Sequence, residues 1–316
     1  MDEFIFFEIE FGKGIAVEKG VLEKSFKIKI HSINANIEFP QVSSPLSYSN
    51  FNDPYLLTPK SIRKWYKDNF EWGMVTSIDQ NNEIEVFVRK AILIIPFTNQ
   101  IEGEKIINKM EDIKKSIELF RQYLSIHTKE SFAPKYYNTR PKINYVTKNE
   151  LRQKLDKKFN EKYSKPAYAS IITYNALDSN LISKIIDYVE KLKEPPLSFQ
   201  LLNEARKLFF QQKYRSNVFE CASAVEVLLT DRIEKHIKKE YSNSFKDSIL
   251  SKYNGLKSKY ELACYLNLFK RKYGIVELAV LRNKAIHAGK TIERKEAAEA
   301  LKITDDFIYS EVTHLS

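Results

Sequence analysis

The 316-residue sequence predicts an α+β protein: a β-rich amino-terminal region, a helical connector and a carboxy-terminal antiparallel helical bundle. Three observations lead there. Apolar and polar residues alternate with a two-residue period through much of the first hundred residues, as in half-buried strands. From Glu102 the apolar residues recur instead at three- and four-residue steps, the period of helices. Pro195 and Pro196 then interrupt the chain, and beyond them the pattern is almost wholly helical. The expected parts are a sensing or binding region over 1–100, a mixed and mainly helical connector over 101–194, and a bundle over 195–316.

In the first part, "EFIFFEIEF" (Glu3 to Phe11) reads as a strand, "GKG" (Gly12 to Gly14) as a turn, and "KSFKIKIHSINANIEF" (Lys24 to Phe39) as alternating strand sequence. Antiparallel pairing is the natural outcome. "SSPLSYSNFNDPYLLTP" (Ser43 to Pro59) has the composition of a long loop. "NNEIEVFVRKAILIIPF" (Asn81 to Phe97) returns to strand chemistry after a turn at Asp79 to Asn82. Ile106, Ile107, Met110, Ile113, Ile117 and Phe120 then lie on one side of a single connecting helix. Further on, "PKYYNTRPKINY" (Pro134 to Tyr145) is expected to be extended, Lys148 to Tyr163 a charged helix, Ala167 to Leu177 a buried strand and Asn180 to Lys193 a helix.

Beyond the double proline, Ser198 suits an N-cap for a helix running to Tyr214. Asn217 to Glu240 carries Cys221, Ala224, Val225, Leu228, Leu229 and Ile233 on a broad stripe, whose small residues allow close packing. Further helical runs are expected at Lys259 to Tyr273, Ile275 to Ala288 and Glu293 to Val312. Their short connections favour an antiparallel bundle.

Composition narrows the function classes. The net charge of +10, from 51 Lys and Arg against 41 Asp and Glu, favours a polyanionic partner such as RNA or DNA. The excess is mostly lysine, however, and a usage rich in Ile, Asn and Tyr and poor in Gly also results from AT-rich coding. The longest apolar run, "AILIIPF", is far too short to span a bilayer, so no membrane association is expected. The amino terminus lacks the layout of a signal peptide, and Cys221 and Cys264 form no CxxC pair. A cytoplasmic location is therefore the expectation. His31, His127, His236 and His314 are scattered without partners at metal-ligand spacing, so neither a metal nor another cofactor is expected. "GKG" is not continued by the rest of a phosphate loop. Asp305 and Asp306 are adjacent and point to different helix faces, which suits them poorly to paired acid and base work. "PKYYNTRPKINY" interleaves Lys135, Arg140 and Lys142 with Tyr136, Tyr137 and Tyr145. That pattern can stack bases and hold phosphates, although an ordinary extended connector accounts for it as well.

"LRNKAIHAG" (Leu281 to Gly289) stands apart, because it sets Arg282, Asn283 and His287 into a helix whose Ile275, Leu278, Leu281 and Ala285 should face a core. Val276, Val280, Asn283 and His287 form a second line, so Asn283 lies four residues from His287, at contact distance on a helix. Arg282 is rotated about 140° from His287. Gly289 can end the helix and leave the imidazole at an opening. A structural account exists beside the functional one: a histidine at a helix end interacts favourably with the dipole, and an arginine on a bundle is often an ion-pair partner.

At these residues the chain resembles the HEPN superfamily. Arg282, Asn283 and His287 match its R-N-x-x-x-H form, and "ECASAVEVLLTDRI" (Glu220 to Ile233) resembles the Apea-like branch. The resemblance covers about the last 120 residues. It implies a metal-independent endoribonuclease that works as a homodimer through the carboxy-terminal bundle, because one helix supplies only one histidine. In that chemistry the RNA 2′-hydroxyl attacks its own phosphate. His287 would move protons, Arg282 would stabilise the phosphorane charge, and Asn283 would hold the imidazole or bind phosphate. Lys284 and Lys290 are the accompanying candidates for substrate binding. Glu226 is a candidate partner of Arg282 inside the bundle. By analogy the amino-terminal part would sense an unidentified trigger or partner, and the protein would act as a toxin or abortive-infection effector in phage defence. The alternative is a non-catalytic dimerisation module that binds RNA or a nucleotide.

Overall fold

The computed structural model describes residues 3–22, 24–42, 56–59, 61–62, 72–78, 84–128, 141–144, 177–240, 243–269, 274–287 and 291–311. The chain has an α+β fold and divides into two compact units, Met1–Glu194 and Pro195–Ser316, so the division falls at the double proline. The described helices of 101–194 fall in the same unit as the sheet.

The first unit is built on an antiparallel sheet in the order β2-β3-β7-β1-β8, with β6 also paired to β7. Its long strands β1 (Glu3–Glu18) and β7 (Ile84–Phe97) pair along most of their length. β2 (Ser25–Ile30) and β3 (Ile33–Glu38) form a hairpin, and Phe26, Ile28 and Ile30 of β2 are buried while the residues between them are exposed. "GKG" is not a turn. The strand continues through it, with a register irregularity between Glu10 and Ile15 that fits the extra residues into one twisted β1. Gly14 has φ of 106°, and a Cβ there would meet the Phe87 ring at 2.5 Å, which is why glycine stands at that position.

Part of the expected Ser43 to Pro59 loop is strand: β5 (Leu56–Leu57) pairs with β4 (Gln41–Val42). β6 (Gly73–Ile78) lies along β7. Of "PKYYNTRPKINY", Pro141–Asn144 forms β8 against β1; its remaining residues lie outside the described ones. So do the expected turn at Asp79 to Asn82, the charged helix Lys148 to Tyr163, and all of Ala167 to Leu177 except Leu177, which bridges to Val17.

The expected connecting helix is two helices, α1 (Gln100–Asn108) and α2 (Met110–Thr128), broken at Lys109. Their apolar stripe is buried as the periodicity requires, from Ile106 to Phe120. α3 (Ser179–Glu190) packs on α2 and β2; the Tyr123 and Tyr188 rings stack at 5.1 Å, and Glu190 accepts the Lys29 N–H.

In the second unit, α4 (Leu197–Phe210) begins with Pro196 at its N-cap. Ser198 is not the cap; it is buried inside the first turn, because the proline already holds the chain at the helix entry. α5 (Tyr214–Glu240) is the central helix and touches α4, α6 (Asn243–Lys252), α7 (Leu256–Tyr265), α8 (Ile275–Ile286) and α9 (Arg294–Glu311). Ala222, Ala224, Ala297 and Ala300 are fully buried, and their small side chains let these helices approach closely. Within this core Arg206 donates to Asp305 at 2.7 Å and to the Tyr309 hydroxyl at 3.2 Å, tying α4 to α9.

Candidate functional site

α8 carries the candidate site, and its burial matches the sequence pattern. Ile275, Leu278, Ala279 and Ala285 are buried, and Leu281 is half-buried. The offset line faces solvent: Val276 is 39% exposed, Val280 63%, and Asn283 and His287 are exposed as well. An apolar strip thus leads directly to the polar residues.

Arg282 is half-buried beside the core-facing stripe and makes no hydrogen bond or ion pair with another described residue. The helix ends at Ile286. His287 is the C-cap, with ψ of 124°, and only its backbone N–H bonds back, to the Asn283 carbonyl at 3.3 Å. The chain has turned away from the helix at that residue. The Asn283 and His287 side chains make no hydrogen bond with each other. Gly289 and Lys290 lie outside the described residues.

One expected partnership differs in the structure, and one substrate-binding candidate has a partner of its own. Glu226 does not pair with Arg282; its carboxylate takes Lys259 of α7 at 2.8 Å, because that face of α5 is turned to α7. Lys284 is engaged by Glu296 of α9 at 2.6 Å. Glu296 also accepts the Glu293 N–H at 3.0 Å, closing the first turn of α9. That backbone bond, and then Lys284, hold its carboxyl below the ordinary glutamate value. Lys284 is thus paired with a carboxylate of the next helix.

One residue that sequence reasoning missed enters the site. Arg215, at the head of α5, donates from Nη2 to the Ile286 carbonyl at 3.3 Å. That carbonyl belongs to the peptide whose nitrogen is His287, so the guanidinium stands at the same helix end as the imidazole. A signal was present in the sequence, since arginine in a first helical turn opposes the helix dipole and calls for a reason.

The remaining candidates are structural. Asp305 is the Arg206 partner whereas Asp306 is exposed, so the two do not act together. Cys221 is buried, and burial pushes its thiol up to about 12, which makes it a poor nucleophile. Among the described residues no three His, Cys, Asp or Glu side chains are grouped to hold a metal, and no helix is long and apolar enough to cross a membrane. The carboxy end of α8 gathers an accessible imidazole, an exposed amide and two guanidinium groups without carboxylate partners among the described residues, a set suited to phosphate. No family model, curated protein or solved structure matches the chain.

Proposed function

We propose that the second unit is a HEPN-like bundle and that the protein is a metal-independent endoribonuclease. The observation that carries the reading is that His287 and Asn283 are exposed at the end of α8, one turn from a half-buried Arg282 that has no carboxylate partner among the described residues, while Lys284 is paired with Glu296. Histidine changes charge near neutral pH and can take a proton from a 2′-hydroxyl or return one to the leaving oxygen. Arg282 supplies a fixed cation for the charge that develops on phosphorus, and Asn283 donates a hydrogen bond to a phosphate oxygen. The second proton carrier comes from a second copy of the chain, docked through Val276 and Val280. The first unit is then the controlling part, which responds to a trigger or partner, as an effector in phage defence requires.

The test uses the full chain and a labelled RNA. His287→Ala and Arg282→Ala are expected to abolish cleavage without loss of folding. Cleavage should continue in EDTA and leave a 2′,3′-cyclic phosphate, and an RNA with 2′-deoxy at the cut site should stay whole. Cutting of the deoxy strand, loss of activity on chelation, or RNA binding with no cleavage would overturn the enzymatic reading, the last in favour of a binding module. Light scattering tests the second copy: the parent is expected to be a dimer and Val280→Glu a monomer.

A further inference from the structure

The backbone on either side of Arg215 is firmly anchored. At the end of α4 the Lys213 N–H donates to the Leu208 carbonyl at 2.9 Å and the Gln212 N–H to the Phe209 carbonyl at 3.0 Å, with Gln212 at φ of 60°. These are the paired bonds of a Schellman ending. In the first turn of α5 the Asn217 N–H donates to the Lys213 carbonyl at 2.9 Å, and the fully buried Asn217 side chain donates from Nδ2 to the Ala205 carbonyl at 2.9 Å. Arg215 stands between these anchors, so its exposed side chain leaves from a backbone with little freedom.

The guanidinium goes to one place. Its Nη2 donates to the Ile286 carbonyl at 3.3 Å, and no other described residue bonds Arg215. Ile286 is the last residue of α8, so its carbonyl lacks an intrahelical donor. The basic residue of that last turn, Lys284, is turned to Glu296 instead. Because the peptide is planar, the Ile286 carbonyl and the His287 N–H rotate together. Holding the carbonyl therefore sets the peptide from which His287 departs, with φ of −66° and ψ of 124°, and with it the direction of the imidazole. Only one of the five N–H donors of the guanidinium is used in this way. A group that holds the peptide of a proton carrier and keeps donors for an anion is arranged to set the distance between the two.

We propose that Arg215 registers the substrate against His287: one nitrogen stays on the Ile286 carbonyl while the remaining donors take an oxygen of the phosphate on which the imidazole acts. The inference rests on the ribonuclease reading and adds to its site a substrate-positioning residue from a different helix.

Arg215→Lys separates registration from charge. Lysine keeps the positive charge but is a point on a flexible stem, without the planar fork that holds one acceptor at a set angle to another. With labelled RNA and the full chain, Arg215→Lys is expected to lower kcat roughly a hundredfold with KM nearly unchanged. Arg215→Ala should lower kcat as far and also raise KM. Binding of an uncleavable 2′-O-methyl RNA to Arg215→Ala protein should show a log–log salt slope smaller by about 0.7, the share of one phosphate contact. A further measurement needs no cutting. The imidazole carbons of the five histidines are isotope-labelled, the His287 signal is assigned from its loss in His287→Ala, and the same 2′-O-methyl RNA is added. The signal should shift in the parent and stay nearly still in saturated Arg215→Ala.

Cleavage by Arg215→Lys at the parental rate, a parental salt slope in Arg215→Ala, or a His287 signal that shifts equally without Arg215 would each overturn the registration. So would a loss of kcat that merely follows a fall in the circular dichroism melting temperature, since Arg215 would then only support the fold. Failure of the two ideas is distinguishable. If the parent cuts no RNA but the His287 signal responds only when Arg215 is present, the ribonuclease reading falls and the registration stands; if parent and Arg215→Lys cut equally well, only the registration falls.

Discussion

Substituting Glu296 by glutamine tests whether Lys284 is held in reserve. The pair is 2.6 Å long, with the lysine side chain 35% and the glutamate 26% exposed. An ion pair so open to water is worth about 1 kcal/mol, so a phosphate that recruits Lys284 must first offset about a fivefold preference for Glu296. Glutamine removes that competition. It keeps an oxygen able to accept the Glu293 N–H, so α9 should remain capped and stability should fall by less than about 1 kcal/mol. In His287→Ala protein the expected outcome of Glu296→Gln is single-stranded RNA binding tightened about fivefold, with a log–log salt slope steeper by about 0.7, the share of one further phosphate contact. In the same background, Lys284→Ala alone should change affinity little. Fluorescence anisotropy titrations across a salt series measure both quantities. Strong weakening by Lys284→Ala, with affinity and slope unmoved by Glu296→Gln, would refute the reserve, because Lys284 would then already be reaching the phosphate.

Three other predictions concern the framework. Asp305→Ala leaves the Arg206 guanidinium, whose side chain is 4% exposed, without its carboxylate; a loss of about 2 to 3 kcal/mol is expected in denaturant unfolding monitored by the helix signal, against less than about 0.5 for exposed Asp306→Ala. Equal losses would show that the pair does not anchor α4 to α9. His127 is held below the ordinary histidine value by burial and then by the Lys184 charge. The unfolded chain therefore binds the proton more readily, and His127's contribution to stability is present at neutral pH and lost as pH falls through the unfolded-state value near 6.5. Urea midpoints at pH 7.5 and 5.5 should fall more in the parent than in His127→Gln, and identical falls would count against it. Gly14→Ala forces a Cβ against Phe87 at φ of 106° and should cost more than about 2 kcal/mol in the same assay; a neutral result would contradict the bulge geometry.

Periodicity made the buried residues legible, because burial depends on which side of an element a residue occupies. The stripe from Ile106 to Phe120 and the stripe of Ile275, Leu278 and Ala285 could be read without coordinates. Helix ends were harder. α3, α4 and α7 finish in Schellman bonds whose left-handed residue is Leu192, Gln212 or Asn267 rather than glycine. A chain with 8 glycines often stops its helices without the usual marker, and reading "GKG" as punctuation failed for the converse reason, since β1 needs Gly14 to pass Phe87. The site was legible only in part. Arg282, Asn283 and His287 could be found because they are neighbours in sequence, but the partners that decide what their surroundings do are not. Glu296 lies on the next helix from Lys284, and Arg215 is 71 residues before Ile286.

These partnerships change what the basic character of the chain means. A surplus of positive charge attracts polyanions as a whole, but it does not say which cations are available to one. Availability depends on whether a carboxylate already stands opposite. Arg206 is committed to Asp305 in the core, Lys259 to Glu226, and Lys284 to Glu296. Arg282 and Arg215 have no such carboxylate among the described residues, and both belong to α8 or to the contact at its carboxy end. Arginine also delivers two parallel donors to a phosphate where lysine delivers a point charge. On the proposed ribonuclease reading, therefore, the lysine excess would supply the long-range field, while positioning a phosphate beside His287 would fall to two arginines on different helices, only one of which belongs to the sequence motif.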